Sequence, residues 1–270
     1  MNLKKYLLKK NLLGNKIYII ALGLHSYGGL KVLIYGLHEL KDENLIIYLD
    51  QRCDLKKIPR YKKHSYKIYN NNFFNHLIID FKFKFLEQKF LKIYLNGIPP
   101  LFKIFNNIYL FQNLNLINSD KFFDLKKIYF YILKKNIEEW LIFNSGIKKK
   151  ISKIFSNKSS ISIINFKIYN MPIVRKKVVR NYDFFYPASG LSHKNHKFIF
   201  DFLILCSKQK KFPSVLLTLS ATELNYLNFN YYKKKFNLKL YNKLITNDYD
   251  LSFAYKSSNA LIFPSFRETL

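Results

Sequence analysis

An α/β fold built from two successive parallel-sheet halves follows from three features of the sequence. Short apolar runs alternate with longer amphipathic ones, the pattern of βαβ units. The alternation breaks from about Tyr169 to Arg180, where Pro172 and a basic run interrupt it, and it then restarts. The predicted organisation is a first half over 1–168, a linker over 169–180 and a second half over 181–270.

The elements follow in order. Ile17 to Leu24 reads as a buried strand, and Gly28-Gly29 then opens a segment, Leu30 to Leu40, with apolar positions at helical spacing. Leu45 to Leu49 is a second strand, ending in Asp50. Further strands are predicted over Leu77 to Phe81, Ile93 to Leu95, Ile108 to Phe111 and Trp140 to Phe143, the last followed by Asn144-Ser145-Gly146 and a Lys-rich helix reaching about Phe155. In the second half Asp183 to Tyr186 reads as a strand, Lys194 to Ser207 as a helix, and Val215 to Leu219 and Leu238 to Tyr241 as strands. A helix over Tyr249 to Ser257 precedes a last strand, Ala260 to Phe263, which runs into Pro264-Ser265. Two such halves joined by a linker imply a cleft, where ligands bind.

Composition narrows the partners. Apolar residues make up 49% of 270 residues and aromatics 18%, enough for buried cores and too much for disorder. The net charge of +29 attracts polyanions: nucleic acid, an anionic membrane surface or a phosphorylated substrate. Only five basic residues are Arg (Arg52, Arg60, Arg175, Arg180, Arg267), whereas base readout and bidentate phosphate clamps favour Arg. The excess of Lys, Asn, Ile, Phe and Tyr is what A/T-rich codons over-supply, so much of the charge reads as solvated faces. The remainder points to a membrane surface or phosphate. Cys53 and Cys206 lie far apart without metal-ligand spacing, which suits a reducing cytoplasm. The apolar stretch from Ile17 to Leu24 is far short of the roughly 20 residues that span a bilayer, and no signal-peptide cleavage pattern follows it.

Three local features carry possible chemistry. Gly28 and Gly29 sit between the first strand and first helix, where backbone amides can approach an anion, although an ordinary tight turn has the same appearance. Lys194, in Lys194-Asn195-His196, opens a predicted helix after the strand ending near Tyr186. It can hold a diphosphate as a point charge, or be one more solvated Lys. Glu268 follows a strand and Pro264-Ser265, at the edge of a sheet where a carboxylate can accept from sugar hydroxyls, or be an exposed terminal residue.

Taken together these features carry a resemblance. Ser258 to Leu270, S-N-A-L-I-F-P-S-F-R-E-T-L, resembles the donor-site motif of the group 1 (family 4) retaining glycosyltransferases of the GT-B type. Phe185 to Phe198, F-Y-P-A-S-G-L-S-H-K-N-H-K-F, is similar to that family's first strand and Lys-bearing loop of the second domain. Ser26-Tyr27-Gly28-Gly29 resembles its glycine loop, and Asn96-Gly97-Ile98-Pro99-Pro100 with Phe111-Gln112-Asn113 resembles the mid-domain strand that meets the acceptor.

The resemblance implies two Rossmann-like domains and transfer of a hexose from a nucleotide-sugar co-substrate to a glycan or lipid-linked acceptor with retention. It implies no further cofactor, no metal and no nucleic acid. It also implies a cytoplasmic location, with peripheral contact to an anionic membrane as an expectation that the basic surface suits. By the same resemblance Lys194 stabilises the leaving diphosphate, Glu268 binds donor hydroxyls, and Pro264 and Ser265 belong to the substrate site. Gly28 and Gly29 bring amides near phosphate and acceptor, with Gln112 and Asn113 on the acceptor side. Residues 1–168 become the acceptor-side domain and 181–270 part of the nucleotide-sugar domain.

Three departures accompany it. Ala188-Ser189-Gly190 offers no Arg before Lys194; Gln112 or Asn113 stands where His is common; and the sequence ends at Leu270, before a Gly-Leu-Pro loop, its helix and a second Glu. From the last departure the 270 residues are expected to be a fragment with weak donor binding and negligible transfer. The competing readings are a basic RNA-associated protein such as an organellar ribosomal component, and an inactive transferase remnant.

Overall fold

A computed structural model of the chain describes residues 1–25, 27–85, 89–95, 98–111, 125–154, 160–165, 174 and 177–266. Gln112, Asn113 and Glu268, with Ser26, Asn96 and Gly97, lie outside the described residues, as does most of the expected linker. The chain forms two compact units, Met1–Ile168 and Tyr169–Glu268.

The first unit runs α1 (Leu3–Lys9), β1 (Ile17–Ala21), α2 (Tyr27–Glu39), β2 (Leu45–Asp50), β3 (His64–Tyr69), α3 (Phe73–Phe85), β4 (Leu91–Leu95), β5 (Asn107–Leu110), α4 (Leu125–Leu133), β6 (Glu139–Ile142), α5 (Ser145–Ile154) and β7 (Ser160–Ile163). Its seven strands are parallel in the order β3-β2-β1-β4-β5-β6-β7. The order reverses between β1 and β4, so the chain leaves β1 and β4 toward opposite sides and opens a crevice at their carboxyl ends.

Alternation within each strand divides the core into two layers, because successive side chains point to opposite faces. Ile17, Ile19 and Ala21 pack with Leu33 and Leu37 of α2 and with Tyr6 and Leu7 of α1. Tyr18 and Ile20 face the other way, with Ile79 and Phe83 of α3, Phe130 of α4 and Ile147 and Ile151 of α5. That layer centres on Trp140, whose ring lies 5.2 Å from Tyr109 and 5.8 Å from Phe130. With both faces covered, the central strands β1 and β4 are buried throughout.

The predicted strand over Leu77 to Phe81 is instead the middle of α3. His76, Ile79, Asp80 and Phe83 are its buried positions, at the i, i+3, i+4, i+7 spacing of one helical face. The run looks continuously apolar because the helix's outward side carries Phe74, Ile78, Phe81 and Phe85 as well.

The second unit runs β8 (Tyr182–Tyr186), α6 (His196–Lys208), β9 (Val215–Leu217), α7 (Ala221–Tyr226), α8 (Phe229–Lys235), β10 (Leu240–Asn242), α9 (Asp248–Lys256) and β11 (Ser258–Leu261). Its sheet is parallel in the order β10-β9-β8-β11. One face packs Tyr186, Val215 and Leu217 against Ile199, Phe200 and Leu203 of α6. The other packs Phe185 and Leu216 against Ala254 of α9. Lys194 does not open α6 as predicted. It ends a 3-10 turn, Ser192–Lys194, and Asn195 then takes a left-handed conformation, φ 54°, before the helix begins at His196. Asn tolerates that conformation because its short polar side chain can bond locally.

Candidate functional site

In the first unit the carboxyl ends of β1 and β2 bring one cluster of polar groups together. Asp50, the last residue of β2, is fully buried. Its carboxylate accepts hydrogen bonds from the Gly23 amide at 3.0 Å and the Arg52 amide at 2.9 Å. The Arg52 guanidinium adds Nε at 2.9 Å and Nη2 at 2.6 Å. Burial pushes this carboxyl up, but the bonds from Arg52 and Gly23 outweigh it and hold its pKa at about 2. His25 Nδ1 lies 3.9 Å from the same carboxylate. The Cys53 thiol donates to the Leu24 carbonyl, and burial pushes its pKa up, so it is a structural clasp rather than a nucleophile.

The loop from Leu22 to His25 is thereby fixed from beneath, and its tight turn relies on Gly23 at φ 91°. Fixing it aims the first turn of α2. Gly28 is exposed there with nothing within 4 Å of where a Cβ would stand, whereas a Cβ on Gly29 would lie 2.8 Å from Leu24 Cδ2. Gly29 thus lets the helix start pack on the loop, and Gly28 leaves its backbone open. First-turn amides have no intrahelical acceptor and carry the positive end of the helix dipole.

Beside it, the 98–101 loop after β4 is anchored by Asp80, which accepts from the Tyr94 hydroxyl at 2.5 Å and the Leu101 amide at 2.7 Å. Asn136 Nδ2 donates to the Pro100 and Leu101 carbonyls. Burial raises the Asp80 pKa to about 6 against these two donors.

In the second unit β8 and β11 are parallel neighbours, so their carboxyl ends bring together two segments distant in sequence. The Tyr186 hydroxyl donates to the Lys194 carbonyl at 2.7 Å and lies 2.7 Å from Ser265 Oγ. Asn195 Nδ2 donates to the Pro264 carbonyl at 3.1 Å, and the Phe266 amide donates to the His193 carbonyl at 2.9 Å. Lys194, Pro264 and Ser265 therefore share one edge, with Lys194 partly exposed in a turn whose backbone is held on two sides.

Sequence reasoning missed Glu223. Its Oε1 accepts from the Gly190 amide at 2.7 Å, and Oε2 accepts from the Ser220 amide and hydroxyl, each at 2.8 Å. Ser220 and Glu223 form the capping box of α7, and the same carboxylate ties down the loop leading to Lys194. A Cβ on Gly190 would come within 2.8 Å of Glu223 Cβ, so only glycine lets the loop settle this close. The legible signal was the Ser-x-x-Glu spacing after a strand. Nothing local marks Gly190 as the partner.

His196 is buried beneath this loop at 2% exposure, its ring 5.0 Å from that of Tyr186. Burial lowers its pKa to about 4, against the pull of the Glu223 charge, so it is neutral in the fold. Its contribution to stability is present above the unfolded value of about 6.5 and is lost as pH falls from there toward 4. In urea titrations between pH 7 and 4.5, His196→Phe is expected to flatten the acid loss of stability relative to the wild type. An unchanged slope contradicts that role.

Among the described residues there is no group of three His, Cys, Asp or Glu side chains placed to hold a metal, and no helix long and apolar enough to cross a membrane.

No protein-family model and no curated protein sequence matches the chain. Solved structures do. The Anabaena protein HepE, in complex with UDP and glucose, aligns with a TM-score of 0.69 at 10% identity, over 94% of this chain and 75% of that one. An E. coli trehalose-6-phosphate structure bound with UDP-2-fluoro glucose gives 0.59 at 9% identity, over 95% and 79%. The lipopolysaccharide outer core galactosyltransferase WaaB, in its apo form, gives 0.53 at 16% identity, over 95% and 76%. At these identities the likeness is one of fold: two parallel α/β units of the GT-B type.

Proposed function

We propose that this chain belongs to a glycosyltransferase that moves a hexose from a nucleotide-sugar to a glycan or lipid-linked acceptor with retention of configuration. The observation that carries this reading is the joining of the Lys194 turn to Pro264-Ser265 through Tyr186 and Asn195. Charge develops on a diphosphate as the glycosidic bond breaks, and a cation held in advance stabilises it without reorganising. Lys194 fills that role, on a backbone fixed before any ligand arrives. Gly28 leaves its backbone open at a helix start, and Gly29 would bring a second amide beside it, suited to an oxyanion of phosphate or acceptor. Glu268 would receive donor hydroxyls, with Gln112 and Asn113 on the acceptor side. The first unit is then the acceptor-side domain and the second the nucleotide-sugar domain. The UDP and sugar bound by HepE, a protein of similar fold, support the donor class. A basic chain at the cytoplasmic face of an anionic membrane suits a lipid-linked acceptor.

Saturation-transfer NMR with a panel of nucleoside diphosphates tests this, because it detects weak binding. At least one diphosphate is expected to bind, and Lys194→Ala to weaken it about tenfold, the loss of one charge-assisted contact worth about 1.4 kcal/mol. Binding by none, or equal binding by the variant, overturns the proposal.

A further inference from the structure

The outward side of α3 carries an apolar stripe that stays exposed among the described residues. Helix geometry advances about 100° per residue, so Phe74, Ile78, Phe81 and Phe85 fall within an arc of about 60°. The buried positions His76, Ile79, Asp80 and Phe83 lie on the opposite side. The four stripe residues are 72%, 47%, 52% and 71% exposed, and the Phe81 and Phe85 rings meet at 4.9 Å. A surface helix ordinarily presents polar residues outward. Here Lys82 and Lys84 flank the apolar stripe, one on each side within about 90°. The only acid of the helix, Asp80, is buried.

We propose that this stripe seats the protein on an anionic lipid bilayer. The argument rests on α3 alone and does not need the transferase reading. The helix has 13 residues, about 20 Å, which lies in an interface but cannot cross one. Phenyl rings on one side with lysines at the margins match the pattern of an interfacial helix, rings entering the acyl boundary and ammonium groups reaching the headgroups. A second copy of the chain fits less well. It would bring another +29 charges to the contact. The stripe also offers only roughly 400–500 Å² at about 200 Å² per large side chain, against about 800 Å² per partner in a stable interface. An anionic surface reverses the sign of the first problem and does not meet the second, because it continues beyond the stripe.

Cosedimentation of the full chain with vesicles tests the proposal. Vesicles of phosphatidylcholine with phosphatidylglycerol are expected to bind the wild type, and pure phosphatidylcholine to bind it weakly. The combined variant Phe74→Ser, Phe81→Ser, Phe85→Ser is expected to lower partition by about tenfold or more while keeping the wild-type thermal midpoint, since all three rings face outward. As an independent reading, Phe81→Trp should shift its emission to the blue on anionic vesicles and be quenched by brominated lipid. Three results overturn the proposal: no vesicle binding by the wild type; equal partition of the triple serine variant, which would leave charge alone as the cause; or a wild-type dimer that the variant converts to monomer, which would make the stripe a contact between copies. None of these measurements uses a nucleotide-sugar, so failure here is separate from failure at Lys194.

Discussion

Asp50→Ala is expected to destabilise the first unit by about 3 kcal/mol, read from urea unfolding at pH 7. The carboxylate is fully buried and accepts from two backbone amides and two guanidinium nitrogens. Removing it leaves the part-buried Gly23 amide without its acceptor, at a cost of about 1–3 kcal/mol for a donor cut off from water, whereas the Arg52 amide, on an exposed residue, costs less. The estimate stays near the lower end for a broken ion pair because the Arg52 side chain is 50% exposed and can return to water. Asp50→Asn retains one acceptor oxygen and should lie between wild type and alanine.

The pH dependence of this effect has a definite sign. The folded-state pKa of Asp50 is lowered to about 2, below the usual carboxylate value near 3.9. Its stabilisation is therefore fully present above about pH 4 and fades as pH falls toward 2. Wild type and Asp50→Ala should differ most at neutral pH and converge in strong acid. A difference that grows on acidification contradicts the assigned network. Because the same carboxylate holds the loop that precedes α2, the alanine variant should also loosen that loop, visible as faster amide exchange at Gly23 and Leu24.

How much of this was legible in the sequence depended on burial. The central strands of the first unit are covered on both sides, so they read as plain apolar runs and were found within a few residues. β3 and β7 carry no such run, because they lie at the two edges of the sheet. There His64-Ser-Tyr-Lys-Ile-Tyr and Ser160-Ile-Ser-Ile keep one side in partial contact with water and have no continuous apolar run. α3 looks like a strand for the opposite reason. Its two apolar faces merge into one apolar run, and the helical period shows only once the inward and outward residues are separated.

The candidate site divides in the same way. Lys194 and Pro264-Ser265 lie in the loops that follow two strands, where local pattern points to them, and the parallel pairing of β8 with β11 brings those loops side by side. The networks that hold them are non-local. Nothing near Asp50 announces the Gly23 amide 27 positions earlier, and nothing near Gly190 announces Glu223. Close packing at a glycine is written in the space its missing Cβ leaves, and that space belongs to the fold rather than to the segment.

Glu223→Ala carries this point to a measurement in the second unit. The substitution removes the capping box of α7, typically worth about 1 kcal/mol, and leaves the Gly190 amide without its acceptor at a further cost of about 1–3 kcal/mol. A total loss of about 2–4 kcal/mol is expected from urea unfolding of the second-unit transition. Gly190→Val attacks the same contact from the other side. Its Cβ would press on Glu223 at 2.8 Å, so the loop must lift even with the carboxylate intact. The two changes meet at one contact, so their effects should not add: the double variant should lose clearly less than the sum of the singles. Additive losses would mean that Glu223 acts through α7 alone and that the loop bearing Lys194 is held by other means, by Tyr186 and Asn195. Strong non-additivity, with nucleoside diphosphate binding weakened in both singles, would identify Glu223 as the residue that positions Lys194.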